Sequence, residues 1–432
     1  MRICEYKSSN TVGGLLLVAL LTSACMDFDD PAIVEEIDST AASDSAAMVP
    51  CEDGTADGFP CGGLDLVARL KREQIGASGM TVNDLWGWTD EKTGIEWALV
   101  GHSSGTSFIS LEEPLEPEYV GILPKTTDAY SSLWRDIKVY DDHAFIVADG
   151  AGAHGMQVFD LTRLRDVKSP PDTFAPTATY NRIQSAHNIV INVESGFAYS
   201  VGGRGGSDTC GGGLHMIDIS TPSDPEFAGC FAHRSTGRGG TGYTHDATCV
   251  VYRGPDADHR GKEVCFGSNE NRLSIADVSD KDDPVGLASA DYPDVGYAHQ
   301  GWLDEDHEYL YMNDEFDELR NQPNTRTLVW DVKDLDDPIV VEEFIHDTEA
   351  IDHNLYVSGD FMYQSNYRVG LRILSIADRE DLEEVAFFDT EPEGSNGASM
   401  TGSWSNYPFF ESGVIAVTSM GNGVFFVRRS KD

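Results

Sequence analysis

From Cys51 onward, short apolar or alternating runs lie between turns rich in Gly, Asp, Asn and Pro. Such runs predict β-strands, and no long amphipathic helical period interrupts them. The pattern repeats. One recurring piece is a strand followed by a proline-containing turn: Phe108-Ile109-Ser110-Leu111 before Pro114, Leu214-His215-Met216-Ile217-Asp218-Ile219 before Pro222 and Pro225, Leu273 to Val278 before Pro284, and Leu328 to Val332 before Pro338. Gln157 to Leu161 and Leu371 to Ile376 are variants of it. A second piece lies upstream of each and opens a strand with a polar pair: Asn83-Asp84, Arg135-Asp136, His187-Asn188, His245-Asp246, His299-Gln300, His353-Asn354 and, more weakly, Ser403-Trp404. The first members are 52, 52, 58, 54, 54 and 50 residues apart.

Seven units of four strands predict an all-β fold, a seven-bladed β-propeller over residues 51–432. The last unit stops one strand short. Leu64 to Leu70 precedes the first unit and is expected to supply that missing outer strand, closing the disc and removing an exposed edge.

The segment ahead of the repeats changes the picture of where the protein resides. Residues 1–24 read as a signal peptide, with Arg2 and Lys7 before an apolar run from Val12 to Leu21 that is too short to span a bilayer. The run ends Leu21-Thr22-Ser23-Ala24-Cys25, which resembles a bacterial lipobox, so Cys25 is the expected lipidation site; an ordinary signal peptide cut nearby is the alternative. Residues 25–50 then form an anchor and a flexible acidic tether. Export implies an oxidising compartment. Beyond Cys4 and Cys25, the cysteines fall into close pairs, Cys51/Cys61, Cys210/Cys230 and Cys249/Cys265, expected to be disulfides; no C-x-x-C spacing points to zinc.

Charge sets limits on partners. With 30 Lys plus Arg against 73 Asp plus Glu, the formal net charge is -43. That field repels phosphate backbones and excludes nucleic acid as a partner, while it attracts cations and keeps an exported protein soluble.

With these pieces laid out, the chain resembles the choice-of-anchor B, or LVIVD-repeat, family of bacterial surface β-propellers. The resemblance runs from Cys51 to Arg429. It is carried by Asn83-Asp84-Leu85-Trp86-Gly87-Trp88, Trp134-Arg135-Asp136-Ile137-Lys138-Val139-Tyr140, His154-Gly155-Met156-Gln157-Val158-Phe159-Asp160-Leu161, His245-Asp246-Ala247-Thr248-Cys249-Val250-Val251-Tyr252, His299-Gln300-Gly301-Trp302 and Asp352-His353-Asn354-Leu355-Tyr356-Val357. It implies a shared propeller with variable attachment to the cell, here through the N-terminal lipid, and it implies no particular activity.

The repeat register places the polar pairs at one mouth of the channel. His187, His245, His299 and His353 occupy equivalent positions there, with Arg135 beside them, and are expected to form an arc. One reading is a metal site, since imidazole suits transition metals, with Asp136 and Asp246 orienting the rings. The other is a repeated hydrogen-bonding device tying each blade to the next. Arg135 argues for an anion in the same place. Loops returning to that mouth add Asp314, Glu315 and Arg368 as candidate ligand-binding residues. The run Asn313-Asp314-Glu315-Phe316-Asp317-Glu318 reads either as a Ca²⁺ site or as an exposed acidic turn. Trp86, Trp88, Trp302 and Trp404 read as core.

No P-loop or H-E-x-x-H motif occurs. The expected function is therefore a surface scaffold that binds a surface or periplasmic protein, a glycan or a small ligand, with a transition metal or Ca²⁺ as candidate cofactor at the channel mouth. The alternative is a metal-dependent enzyme, an oxidoreductase or hydrolase, centred on the histidines.

Overall fold

The computed structural model describes residues 47–431 apart from residues 322 and 395. The segment read as a signal peptide, Cys25 and most of the expected tether lie outside the described residues. Seven sheets of four or more strands form the blades of a propeller. Their innermost strands are Val82–Thr89, Arg135–Tyr140, Asn188–Asn192, Asp246–Val251, Ala298–Leu303, Leu355–Ser358 and Ser403–Tyr407, defining blades 1 to 7. Helix among the described residues is confined to three short 3-10 turns.

Burial explains the sequence pattern. The second and third strands of each blade are covered on both faces by neighbouring blades, so they read as continuous apolar runs; Glu96–His102 and Val414–Ser419 are buried throughout. Outer strands such as Ile339–Ile345 mix exposed and half-buried positions. The core is a ring of seven clusters, each shared by two adjacent blades. Leu85, Ala98 and Ile109 of blade 1, for instance, pack against Val414, Ala416 and Phe426 of blade 7.

Leu64–Leu70 pairs antiparallel with Gly423–Arg429, Leu64 opposite Arg429 and Leu70 opposite Val424, so blade 7 is built from both ends of the repeat region. The sequence pattern gave no sign of a further hairpin, Thr55–Ala56 with Phe59–Gly62, which extends the outer edge of blade 6 through Cys61 opposite Phe388. All three expected disulfides are present: Cys51–Cys61, Cys210–Cys230 and Cys249–Cys265. Cys249 and Cys265 face each other across the first two strands of blade 4.

Candidate functional site

The histidines form the arc that their register predicts. His187 and His245 have ring centroids 4.2 Å apart, His245 and His299 4.5 Å, and His299 and His353 4.4 Å; Trp404 of blade 7 continues the series 4.5 Å from His353. Each Nδ1 faces an oxygen acceptor. The partners are Asp149 Oδ2 at 3.1 Å for His187, the His299 carbonyl at 2.8 Å for His245, Asn313 Oδ1 at 3.3 Å for His299 and the Trp404 carbonyl at 2.6 Å for His353. Nδ1 therefore donates in all four, and in a neutral ring this leaves the Nε2 lone pair free, the tautomer a metal requires. Burial pushes His245 and His299 far below the usual imidazole range and His353 down to about 3, so these rings are neutral.

The two readings of the histidines are thus compatible. The Nδ1 atoms of His245 and His353 tie blade 4 to 5 and blade 6 to 7, while the Nε2 atoms of the neutral rings remain for a ligand. His299, His353 and Glu315 each offer a ligand atom within 4.8 Å of the others. Glu315 accepts a hydrogen bond from the Tyr367 hydroxyl at 3.0 Å, and burial raises its carboxyl to about 7. An imidazole pair with one carboxylate is a donor set suited to zinc or another first-row metal. The space enclosed by Arg135 and the rings is about 10 Å³, room for one water molecule or a bare ion.

Arg135 lines the same space and is buried, its Nη1 3.0 Å from His154 Nε2 and its Nε 3.2 Å from the His102 carbonyl. Nη2 has no hydrogen-bond partner, which leaves a donor for an anion. Several of the residues that follow in the polar pairs act one step deeper as clasps between blades. Asp84 accepts the Ile137 N–H, Asp136 accepts the Ile189 N–H and Gln300 accepts the Leu355 N–H. Lys138 sits 2.7 Å from Asp136 and 3.9 Å from Asp84. Burial raises Asp84 well above the carboxylate range; Asp136, although buried, is held below it by Lys138.

Other expected site residues lie elsewhere. Asp314 is fully buried, and its carboxylate is occupied by the Tyr292 hydroxyl at 2.8 Å, the Gly296 N–H at 2.7 Å and the Tyr297 N–H, so it folds its own loop rather than facing the arc. Arg368 turns toward Glu391, 4.0 Å away, and toward Thr401 and the Glu393 carbonyl. Asp136 and Asp246 lie below the rings and touch none of their nitrogens in the described hydrogen bonds.

The opposite end of the inner strands opens into a well of about 630 Å³. Trp86, Trp302, Tyr356, Tyr407 and Phe409 wall it, and Lys138, Asp246 and Gln300 lie at its polar floor. Trp302 and Tyr356 meet edge to face at 5.0 Å, as do Trp86 and Tyr407 at 5.2 Å. Gly87 is required here, because a Cβ would lie 2.1 Å from the Tyr407 ring. Trp86 and Trp302 are thus not closed core as the sequence suggested, whereas Trp88 packs under Trp97 in the interface between blades 1 and 2. The register holds the missed signal: three residues after Asn83, Arg135, His187, His245, His299 and His353 stand Trp86, Lys138, Val190, Thr248, Trp302 and Tyr356, all on the well.

Asp246 makes the well pH-sensitive. Burial and the nearby Asp136 raise its carboxyl to about 7 against about 3.9 unfolded. The native state holds this proton where the unfolded chain has lost it, so the group's contribution to stability falls as pH rises from 4 to 7. Asp246→Asn, which keeps the acceptor for the Ala247 N–H, is expected to match wild type at pH 4 and exceed it at pH 8 by about 2 kcal/mol, allowing for partial solvent screening in the well. Urea unfolding at the two pH values measures this; equal stability at pH 8 would contradict it.

Comparison with known proteins supports the same fold. A family model described as the LVIVD repeat matches residues 209–232. No curated protein matches the chain. Among solved structures, a chain of the COPII outer coat vertex on membranes is similar over 82% of this chain and 85% of its own, at 12% identity and a TM-score of 0.55. The Cps50 (Swd1) β-propeller domain of Myceliophteria thermophila covers 81% of this chain and 98% of its own at 11% identity, and a Lactobacillus plantarum protein 79% and 89% at 12% identity, both with a TM-score of 0.50. These likenesses concern fold alone. Three disulfides and a repeat of a surface-protein type point to an extracellular protein. The matched repeat and the seven blades together fit the LVIVD-repeat family of β-propellers.

Proposed function

We propose that the protein is a binding propeller of the bacterial cell envelope, held to the membrane by lipid on Cys25, which takes a ligand into the aromatic well and holds a transition metal at the histidine end. One observation carries this reading: a well of about 630 Å³ with five aromatic walls and a charged floor. Concave, mostly apolar sites with a few convergent polar groups are where small ligands bind. Aromatic faces suit a sugar ring or another flat, partly apolar ligand, and Lys138 and Asp246 suit its polar end.

The second reading, a metal-dependent enzyme, is favoured by the His299–Glu315–His353 trio. The space there takes one water molecule, so a substrate larger than that reaches the metal only if the arc opens. A metal that supports the structure and a ligand bound at the far end is the more economical account.

Three measurements test the proposal. Tryptophan emission of the purified protein, titrated with a panel of oligosaccharides and flat aromatic acids, is expected to change on binding of one class, and Trp302→Ala to weaken that binding at least about tenfold. Unaltered affinity in Trp302→Ala would exclude the well. Elemental analysis is expected to find a stoichiometric transition metal in wild type and none in His299→Ala/His353→Ala; metal-free wild type would remove the metal from the proposal and leave the well. Membrane fractionation of Cys25→Ser reads the anchor, with release to the soluble fraction expected.

A further inference from the structure

The aromatic well has two unlike walls and a floor whose polar groups are mostly paired. Its five rings stand on blades 5, 6, 7 and 1, while Val139, Val190 and Val250 line the side formed by blades 2 to 4. At the floor Gln300 is occupied on both side-chain atoms, its Nε2 donating to the Leu355 carbonyl at 3.0 Å and its Oε1 accepting the Leu355 N–H at 2.9 Å. Thr248 donates to the Gly301 carbonyl at 2.7 Å. Lys138 is held by Asp136 at 2.7 Å, by the Ile137 carbonyl at 3.2 Å and by the Trp86 ring at 4.6 Å. Asp246 is the exception. Its Oδ1 accepts the Ala247 N–H at 2.7 Å; among the described residues no donor reaches Oδ2, and no cation lies within ion-pair distance of the carboxyl group.

A ligand that makes a polar contact at this floor must therefore donate to Asp246, and charge decides which donor. Three carboxyl groups, Asp84, Asp136 and Asp246, surround the single ammonium of Lys138. At the rim Glu194 is paired with Arg253 at 2.6 Å and Asp304 with Arg379 at 3.4 Å, which leaves Glu305 without an ion-pair partner among the described residues. An anionic ligand meets this surplus of negative charge unfavourably, and a hydroxyl leaves it uncompensated. An ammonium meets it with a charge-assisted hydrogen bond and offsets the burial that disfavours the ionised form of Asp246. In a sevenfold disc blade 4 faces blades 7 and 1, so a group held at Asp246 directs its apolar part toward Trp86, Tyr407 and Phe409. Aromatic faces also attract cations, as the Trp86 ring does Lys138.

We infer that the well selects a cationic ligand, an amine whose ammonium donates to Asp246 Oδ2 and whose apolar body lies against the aromatic wall. The inference rests on the well being the ligand site and adds the chemical class that it takes. The net charge of -43 works in the same direction, drawing cations to the molecule before they reach the well.

The probes are three molecules of similar shape and different charge: 2-phenylethylamine, 2-phenylethanol and phenylacetate. Each is titrated calorimetrically into the full chain in about 150 mM NaCl, which screens the acidic surface. Wild type is expected to bind the amine at least about tenfold more tightly than the alcohol, and phenylacetate least. Asp246→Asn, which keeps the acceptor for the Ala247 N–H, is expected to lose the preference for the amine and retain the affinity for the alcohol. Trp302→Ala is expected to weaken amine and alcohol alike. The inference is overturned if the alcohol or phenylacetate matches the amine, if Asp246→Asn keeps the tenfold preference, or if none of the three binds at up to about 10 mM. A matching alcohol that Trp302→Ala weakens leaves the well as the site of a different ligand class. Amine binding that Trp302→Ala leaves unchanged removes the well and the inference together. If Asp246→Asn does not fold, the wild-type ratio of amine to alcohol and the Trp302→Ala titration decide.

Discussion

A chain beginning at Lys71 is expected not to fold into a soluble monomer, whereas one beginning at Gly63 should. The difference is Leu64–Leu70. Removing it exposes the whole edge of Gly423–Arg429 and takes away the buried side chains of Leu64, Leu66 and Val67. Burial of three such side chains contributes about 6 kcal/mol, and the lost ladder of backbone hydrogen bonds adds to that. Whole domains are stable by only about 5–15 kcal/mol, so the loss removes most of the margin, and the bare edge invites pairing between chains. Chain entropy offers a control. Leu64 stands opposite Arg429, so moving Leu64–Leu70 behind residue 431 through a short turn makes an ordinary hairpin. That rearranged chain should recover the monomer. Size-exclusion chromatography and thermal melts distinguish the three. A monomeric, cooperatively melting chain from Lys71 would show that the segment does not close the disc.

Lys138→Met is expected to be the most damaging single change at the channel waist. Lys138 neutralises Asp136 at 2.7 Å and lies close to Asp84, and the pair and its neighbour are nearly enclosed. Removing one partner of such a pair strands the other charge, at a cost of about 3 kcal/mol. The Asp136 carboxylate is not free to turn to water, because it also accepts the Ile189 N–H from blade 3. Adding Asp136→Asn keeps that acceptor and removes the charge, so the double variant should regain most of the loss. The deficit should also shrink as pH is lowered, since Asp136 without Lys138 takes up a proton in the folded state more readily than in the unfolded one. Urea unfolding of wild type, both single variants and the double variant gives the coupling directly; additive effects would refute the pairing.

Much of the fold was legible in the sequence because a repeat multiplies weak signals. A single strand such as Leu273–Asp277 is ambiguous, but six such strands and seven polar pairs at a regular spacing fix blade number and inner-strand register. The histidine arc was legible for the same reason: equivalent positions in a propeller stack, and four of them carry the same side chain. The well was not, because its equivalent positions hold Trp, Lys, Val, Thr, Trp and Tyr, which share a location and no chemistry. Asp314 misled because the residue type says nothing of what it accepts, and backbone N–H groups of Gly296 and Tyr297 occupy it. Arg368 sits on the right loop, but the Glu391 carboxylate of the next connection draws it aside.

The ring of seven shared cores has a consequence for how the molecule comes apart. A stacked array that is open at its ends loses its terminal unit first, at the expense of one interface. Here every blade has two neighbours, and blade 7 packs on blade 1 as the others pack on each other. Loosening any one blade therefore disrupts two clusters at once, and no unit is cheaper to release than the rest. Partly opened states are consequently poorly populated, and the chain unravels as a whole or not at all. For a protein exposed outside the cell, resistance to proteases then follows from the rarity of global opening rather than from the strength of any one blade.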